Sequence, residues 1–448
     1  MIDRTRLAER HAHELALFAD LHPESARLAA DAQEHLVSGV PMPWMTRWPG
    51  MFPLFFSAAR GARFMDVDGI EYVDFCLGDT GAMTGHGLPQ VASAVHERAQ
   101  RGITTMLPSD DAVWVAGELT RRFGLPKWQF AMTATDANRF VLRYARALTG
   151  RPKIAVMDWC YHGTVDETLA VLDPQGRVVS RPGAVGPAVD PALTTRVVPF
   201  NDIDALEREL AHGDVACLLM EPALTNIGIV LPRAGYLDEV RRVTREHGVL
   251  LVIDETHTIC AGPGGCTRAW GLEPDFFVIG KPIAGGVPAA VYGMSADVAV
   301  RLEELMRGDA VDVSGVGGTL TGNALALAAI RATLSTTLTQ ADFDRMVPLA
   351  ASWAEGVRSA YTARGLDWHV QQLGCRAEYW FCPPPVDGAQ AAAASDHALD
   401  AYMHLYALNR GILMTPFHNM ALFSPAHAQQ DVDHHTEVFD RAVASLVD

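Results

Sequence analysis

Four short apolar runs constrain this chain most: KIAVMD (153–158), CLLMEP (217–222), VLLVIDET (249–256) and FFVIGK (276–281). Between about residues 90 and 300 they alternate with helix-like segments. Near-continuous apolar runs of this length suit strands buried on both faces of a mainly parallel sheet that helices cover. The pattern predicts an α/β fold. One covering helix is explicit in FAMTATDANRFVLRYARALTG, where Ala137, Phe140, Val141, Tyr144, Ala145 and Leu148 share a face and Arg139, Arg143 and Arg146 share another.

The flanks read differently. Residues 5–37 carry apolar positions at helical spacing, broken at His22-Pro23, and predict an N-terminal helical arm. An irregular Pro- and Trp-rich segment, PMPWMTRWPGMFPLFF (41–56), leads into GARFMDVDGIEYVDF (61–75), a hairpin turning at Asp68-Gly69. Beyond about 335 come a helix over 349–365, a strand over 378–382, a helix near 396–409, GILMTPF (411–417) and a closing helix from about 431. The Ala-rich stretch 388–396 reads as a surface loop leading into a helix. This gives an arm and ribbon over 1–75, a large α/β domain over 76–333, and a small α+β domain over 334–448 completed by the N-terminal arm.

Charge narrows the function. Across 448 residues the balance is 36 − 53 = −17, with no basic run to offset it, so the surface repels phosphate backbones and anionic lipid. Nucleic acid and membranes are excluded as main partners. Acidic and basic residues interrupt the opening MIDRTRLAERHAHELALF, and the seven cysteines are scattered without a C-x-x-C pair, so a reduced cytoplasmic setting is expected. His11, His13 and the pair His434-His435 lack a third ligand at suitable spacing and read as solvated helix faces, so no metal is expected.

The chemistry sits at strand ends, where open α/β sheets bind ligands. Asp254 and Glu255 follow one buried strand, and Lys281 follows another 27 residues later. A lone strand-end lysine is more often a salt-bridge partner. Here PIAGG follows it, and its glycines admit another group closely. A lysine that forms a Schiff base with an aldehyde, opposed by a carboxylate that keeps a pyridine nitrogen protonated, is what pyridoxal phosphate requires. The helix start at Ala134-Thr135-Asp136 offers free amides for a phosphate, or else a plain N-cap at Thr135 or Asp136. Tyr161 follows a further strand, where a ring could cover a planar cofactor or simply join the core.

In order, DVDGIEYVDF, GAMTGHGLP, TATDAN, YHGTVDET, EPALTNIGIVLP, VIDETHT, IGKPIAGGVPAAVYG and GGTLTGNALA run through the chain. Together they resemble the class III, fold-type I pyridoxal-phosphate enzymes, in the branch of glutamate-1-semialdehyde aminomutase and the β-amino-acid aminotransferases. The likeness covers about residues 40–440. It implies that Lys281 is the Schiff-base lysine and proton carrier, and that Asp254 binds the pyridinium nitrogen. It further implies that Tyr161 stacks on the ring, Asn226 reaches the phenolic oxygen, and Ala134 and Thr135 hold the phosphate. Thr319 would reach the phosphate of the other subunit, which implies a homodimer with shared sites.

Three departures stand out. The phosphate loop reads Thr133-Ala134-Thr135-Asp136-Ala137 where the family usually has Ser-Gly-Thr-Glu-Ala. The apolar residue that follows Asp-Glu in the family is Thr256 here, followed by His257. Met420 falls near the position of the aminomutase's C-terminal glutamate, which weakens a mutase reading. Arg47 is the candidate for a substrate carboxylate, since guanidinium pairs with carboxylate bidentately, with solvent exposure as its alternative. Trp44 belongs to an aromatic entry wall, and His418 is a candidate polar contact to substrate. The sequence therefore favours transamination between an amino acid, β or with an apolar or aromatic side chain, and a keto acid. The alternative is an intramolecular aminomutase or epimerase. A cofactor-binding regulator without catalysis is a distant third.

Overall fold

The computed structural model describes residues 2–307 and 312–447. The chain divides into two units, Pro89–Gln340 with Pro385–Ala393, and Met1–Leu88 with Ala341–Pro384 and Ala394–Asp448. The first cut lies later than the 75/76 boundary drawn from sequence because residues 76–88 fold back on the ribbon. His86 and Gly61 form an antiparallel bridge, with His86 N donating to Gly61 O at 2.8 Å.

The larger unit is built on a seven-stranded sheet. Its order is Lys127–Ala131, Ala290–Met294, Phe276–Ile279, Leu250–Asp254, Val215–Met220, Lys153–Met157, Thr195–Val198. Ala290–Met294 runs antiparallel to both neighbours, and the other adjacent pairs are parallel. All five residues of Leu250–Asp254 and all six of Val215–Met220 are buried, which is why these runs carry no alternation of polar residues. The helix Ala134–Thr149 packs on this sheet, burying Ala137, Val141, Leu142, Tyr144 and Ala145. Asn138 lies on the same buried face.

The smaller unit carries two sheets. Phe56–Arg60, Arg63–Asp66 and Glu71–Asp74 form an antiparallel ribbon, with Ile412–Leu413 added in parallel. His369–Leu373, Arg376–Trp380 and Met420–Leu422 form the second, antiparallel sheet. The N-terminal helices Arg4–Leu21 and Pro23–Ala32 break at His22-Pro23. Phe18, Phe64, Tyr72, Leu405 and Leu408 make one core cluster there.

Three readings are corrected. Residues 388–393 are a short helix, not a loop, and Gly388 lies so near that a Cβ would stand 2.3 Å from Asp158 O. The helix placed at 349–365 spans Gln340–Thr362 and contains Pro348, whose missing N–H removes one helical hydrogen bond without ending the helix. His435 is not solvated: it is buried against Trp353, Phe75 and Phe439, and burial pushes its imidazole down to about 3. Among the described residues no helix is long and apolar enough to cross a membrane.

Candidate active site

The strand Leu250–Asp254 stops because Asp254 turns the chain. Its Oδ1 accepts from Thr256 N at 3.0 Å, an Asx-type turn. Its Oδ2 accepts from His162 Nδ1 at 2.9 Å and from Asn138 Nδ2 at 3.0 Å. Asn138 Nδ2 also donates to His162 O at 3.1 Å, so three segments lock on one carboxylate. All three residues are buried. Burial alone would drive the Asp254 carboxyl up, but the hydrogen bond and charge of His162, with the bonds from Thr256 and Asn138, hold it at about 2. Burial pulls the His162 imidazole down, yet the charges of Cys160 and Asp254 prevail and raise it. The strand end therefore presents a fixed, buried anion.

A second group of residues converges from the helix start. The N-cap is Thr133, whose Oγ1 accepts from Asp136 N at 3.1 Å, rather than Thr135 or Asp136. Thr135 Oγ1 instead accepts from Thr164 N at 3.1 Å and pins the loop that follows Lys153–Met157. Gly163 makes this approach feasible: its φ is +82°, and a Cβ would stand 2.1 Å from Thr135 Oγ1. Gly280 plays the same part beside Ala134, where a Cβ would meet Ala134 Cβ at 3.2 Å.

Lys281 follows Gly280 directly. It opens the short 3-10 turn Lys281–Ala284 with φ +45°, a left-handed conformation that costs a residue with a Cβ about 1–2 kcal/mol. Such strain is held where the surrounding structure over-determines it, and sites of chemistry are where it collects. Lys281 Nζ lies 2.7 Å from His257 Nε2.

The remaining candidates fall in three places. Tyr161 is partly buried, next to His162. Asn226 Nδ2 reaches Trp159 O at 3.4 Å, which ties its turn to the same loop. Thr319 is exposed and lines a cavity of about 270 Å³ with residues 103–108, and it makes none of the bonds around Asp254.

In the smaller unit, Trp44 and Arg47 are exposed on the 3-10 turn Pro43–Arg47, with the Trp44 ring edge-on to Phe417 at 5.3 Å. His418 is buried, its Nδ1 3.2 Å from Glu378 Oε1. Met420 is fully buried, paired across the strands with Glu378. Glu378 is also bonded by Arg376 at 2.9 Å; burial raises its carboxyl, and Arg376 and His418 bring it below the ordinary value.

Asn138 and His162 escaped the sequence reading as partners of Asp254. One signal was present, a polar Asn138 on an otherwise apolar helix face. Its partner is 116 residues away, so nothing local pointed to the pairing.

The family model for class-III aminotransferases matches residues 44–360. The chain belongs to the class-III aminotransferase family. Glutamate-1-semialdehyde 2,1-aminomutase of Sorangium cellulosum (strain So ce56) is 36% identical over 422 residues, 93% of this chain and 95% of that protein. A crystal structure of a glutamate-1-semialdehyde-aminomutase from Pseudomonas aeruginosa PAO1 superposes with a TM-score of 0.97 at 49% identity, covering 99% of each chain. An omega-transaminase from Sphaerobacter thermophilus superposes with a TM-score of 0.84 at 27% identity, over 94% of this chain and 98% of that one.

The cofactor of this class-III enzyme is pyridoxal phosphate, and the residues present fit it. Asp254 is a buried carboxylate kept charged, which suits a protonated pyridine nitrogen. Gly163 and Gly280 leave the helix start at Ala134 and Thr135 without Cβ groups in the way. Asn138 Oδ1 is a buried polar atom without a hydrogen-bond partner among the described residues, so the polar surroundings of Asp254 retain bonding capacity.

Proposed function

We propose that the protein is a pyridoxal-phosphate-dependent aminomutase of the glutamate-1-semialdehyde type, in place of the transaminase that the sequence reading put first. The observation that carries this is the 49% identity across 99% of both chains to a protein described as such an aminomutase. The reaction named for that relative exchanges the amine at C2 of glutamate-1-semialdehyde with the oxo group at C1. The product is the isomer 5-amino-4-oxopentanoate, and no second substrate enters.

Pyridoxal phosphate, when bound, supplies an aldehyde carbon that carries the amine and a ring that takes up electrons. The chain's own residues do the rest. Asp254 holds a proton on the ring nitrogen because its own carboxyl stays ionised. Lys281 Nζ is the base that would take the proton from the carbon that bears the amine. Backbone amides at Ala134 and Thr135 receive the phosphate at the helix start. Tyr161 covers the ring, and Asn226 bonds its phenolic oxygen. Arg47 holds the substrate carboxylate, with Trp44 as an apolar wall. Thr319 serves the phosphate of the other subunit of a homodimer. The proposed compartment is the cytoplasm, consistent with seven free cysteines.

One observation favours a second reading, transamination between an amino donor and a keto acid. Met420 occupies the place where the resemblance puts the aminomutase's glutamate, and a thioether moves no proton. The test is to give purified holoenzyme glutamate-1-semialdehyde alone. Many turnovers to 5-amino-4-oxopentanoate without a carbonyl acceptor support the mutase. No product there, with stoichiometric conversion of the cofactor to its amine form by an α-, β- or γ-amino acid, overturns it in favour of transamination.

A further inference from the structure

The contact between Lys281 and His257 is not accounted for by anything above. His257 lies three residues past Asp254, at the N-cap of the 3-10 turn Thr258–Ala261. That turn is rigidly built. Ile259 N donates to Glu255 O at 3.0 Å and Cys260 N to His257 O at 3.3 Å. The buried Glu255 carboxylate receives Thr258 Oγ1, Cys266 N and Thr267 Oγ1. The lysine is the opposite, a long side chain with four rotatable bonds and large rotamer freedom. A short side chain on a fixed turn therefore meets the end of a long one.

The charged groups on the same strand end are already engaged. Asp254 bonds His162, Asn138 and Thr256 N, and Glu255 bonds the side chains and amides just named. His257 Nε2 is the atom of this turn set 2.7 Å from Nζ. An ammonium only donates, so the imidazole accepts through Nε2 and carries its ring proton on Nδ1.

We propose that His257 is a positioning residue for Lys281: it accepts a hydrogen from the ε-amine and holds Nζ in place whenever that nitrogen is not bonded to the cofactor. The inference rests on Lys281 being the cofactor's lysine. Either candidate reaction frees Nζ within each turnover and needs it at a fixed place to move a proton and then to re-engage. A hydrogen bond from a rigid turn removes the search over rotamers that the free side chain would otherwise make.

The experiment uses the full chain stripped of cofactor. Amines are acylated with limiting acetic anhydride across a pH series, and the Lys281 peptide is quantified by mass spectrometry for wild type, His257→Leu and His257→Gln. Without that hydrogen bond the Lys281 nitrogen is no longer held against the turn, so acylation of Lys281 in His257→Leu should rise about tenfold across the series. His257→Gln offers a carbonyl acceptor and should return the profile to within about threefold of wild type. After stoichiometric pyridoxal phosphate is added, His257→Leu should also recover the bound-cofactor absorbance more slowly than wild type and His257→Gln.

If the Leu variant does not fold by circular dichroism, His257→Ala carries the same comparison. A Lys281 profile that superposes on wild type in the folded Leu or Ala variant overturns the proposal, as does a Gln variant that behaves like Leu. Failure of the underlying reading looks different. In that case pyridoxal phosphate would leave Lys281 acylation of the wild-type chain undiminished.

Discussion

At the scale of single residues, the controlling pair is Asp254 and His162. Asp254 has its carboxyl lowered to about 2 from 3.8, so its stabilising contribution is present above pH 3.8 and is lost as pH falls toward 2. His162 is raised from 6.5, so its contribution is full below that value and declines as pH rises through its folded value. Replacing His162 by Leu leaves a buried carboxylate without its charge partner. Breaking such a pair costs about 3–5 kcal/mol. Urea unfolding of the cofactor-free chain between pH 4 and 8 should show that loss, and the acid limb of the stability curve should shift to higher pH as Asp254 protonates earlier. An unshifted acid limb would mean that His162 does not set the charge of Asp254. This part of the site was half legible. Asp254 and Lys281 stood out because strand ends carry ligands, whereas Asn138 and His162 reach Asp254 only through the folding of the sheet.

At the scale of elements, the helix Ala134–Thr149 and the loop after Lys153–Met157 are joined at Thr135 and Gly163. Gly163→Ala adds a Cβ at 2.1 Å from Thr135 Oγ1 and at a φ of +82°. The φ alone costs about 1 kcal/mol, and the clash adds to it. The variant should lose pyridoxal phosphate on dialysis, read by absorbance, and unfold at lower temperature. Gly163→Ala combined with Thr135→Ala removes the struck oxygen and should recover part of both, a positive coupling between touching residues. No recovery would show that the φ strain, not the contact, governs the joint. The long doubly buried strands were legible because burial on both faces leaves a plain apolar run. Short strands such as Met420–Leu422 and Phe56–Arg60 were not, since three to five residues carry too little periodicity to tell from a loop. The cap moved to Thr133 because three threonine and aspartate positions compete there and packing at Gly163 claims Thr135.

At the scale of the whole molecule, the surface of the larger unit carries apolar residues that water does not favour. Met106, Leu107 and Val113 are 79%, 73% and 80% exposed, and Ile103 and Leu320 add to them. Residues 103–108 line the same cavity as Thr319, the residue that the resemblance assigns to the other subunit's phosphate. A net charge of −17 opposes non-specific association, and the homodimer proposed above would cover this apolar patch. Sedimentation should give about twice the 48.5 kDa chain. Placing aspartate at both Met106 and Leu107 puts like charges on each copy's contact and should yield a monomer. Asp254 and Lys281 lie within one chain, so the monomer keeps the ring-binding residues and loses what the second copy contributes to the phosphate. Its pyridoxal phosphate should therefore dissociate faster, with Lys281 still protected from acylation while the cofactor is bound. A monomer that retains the cofactor as long as wild type would remove Thr319 from the site. A dimer that survives both substitutions would move the subunit contact to another face.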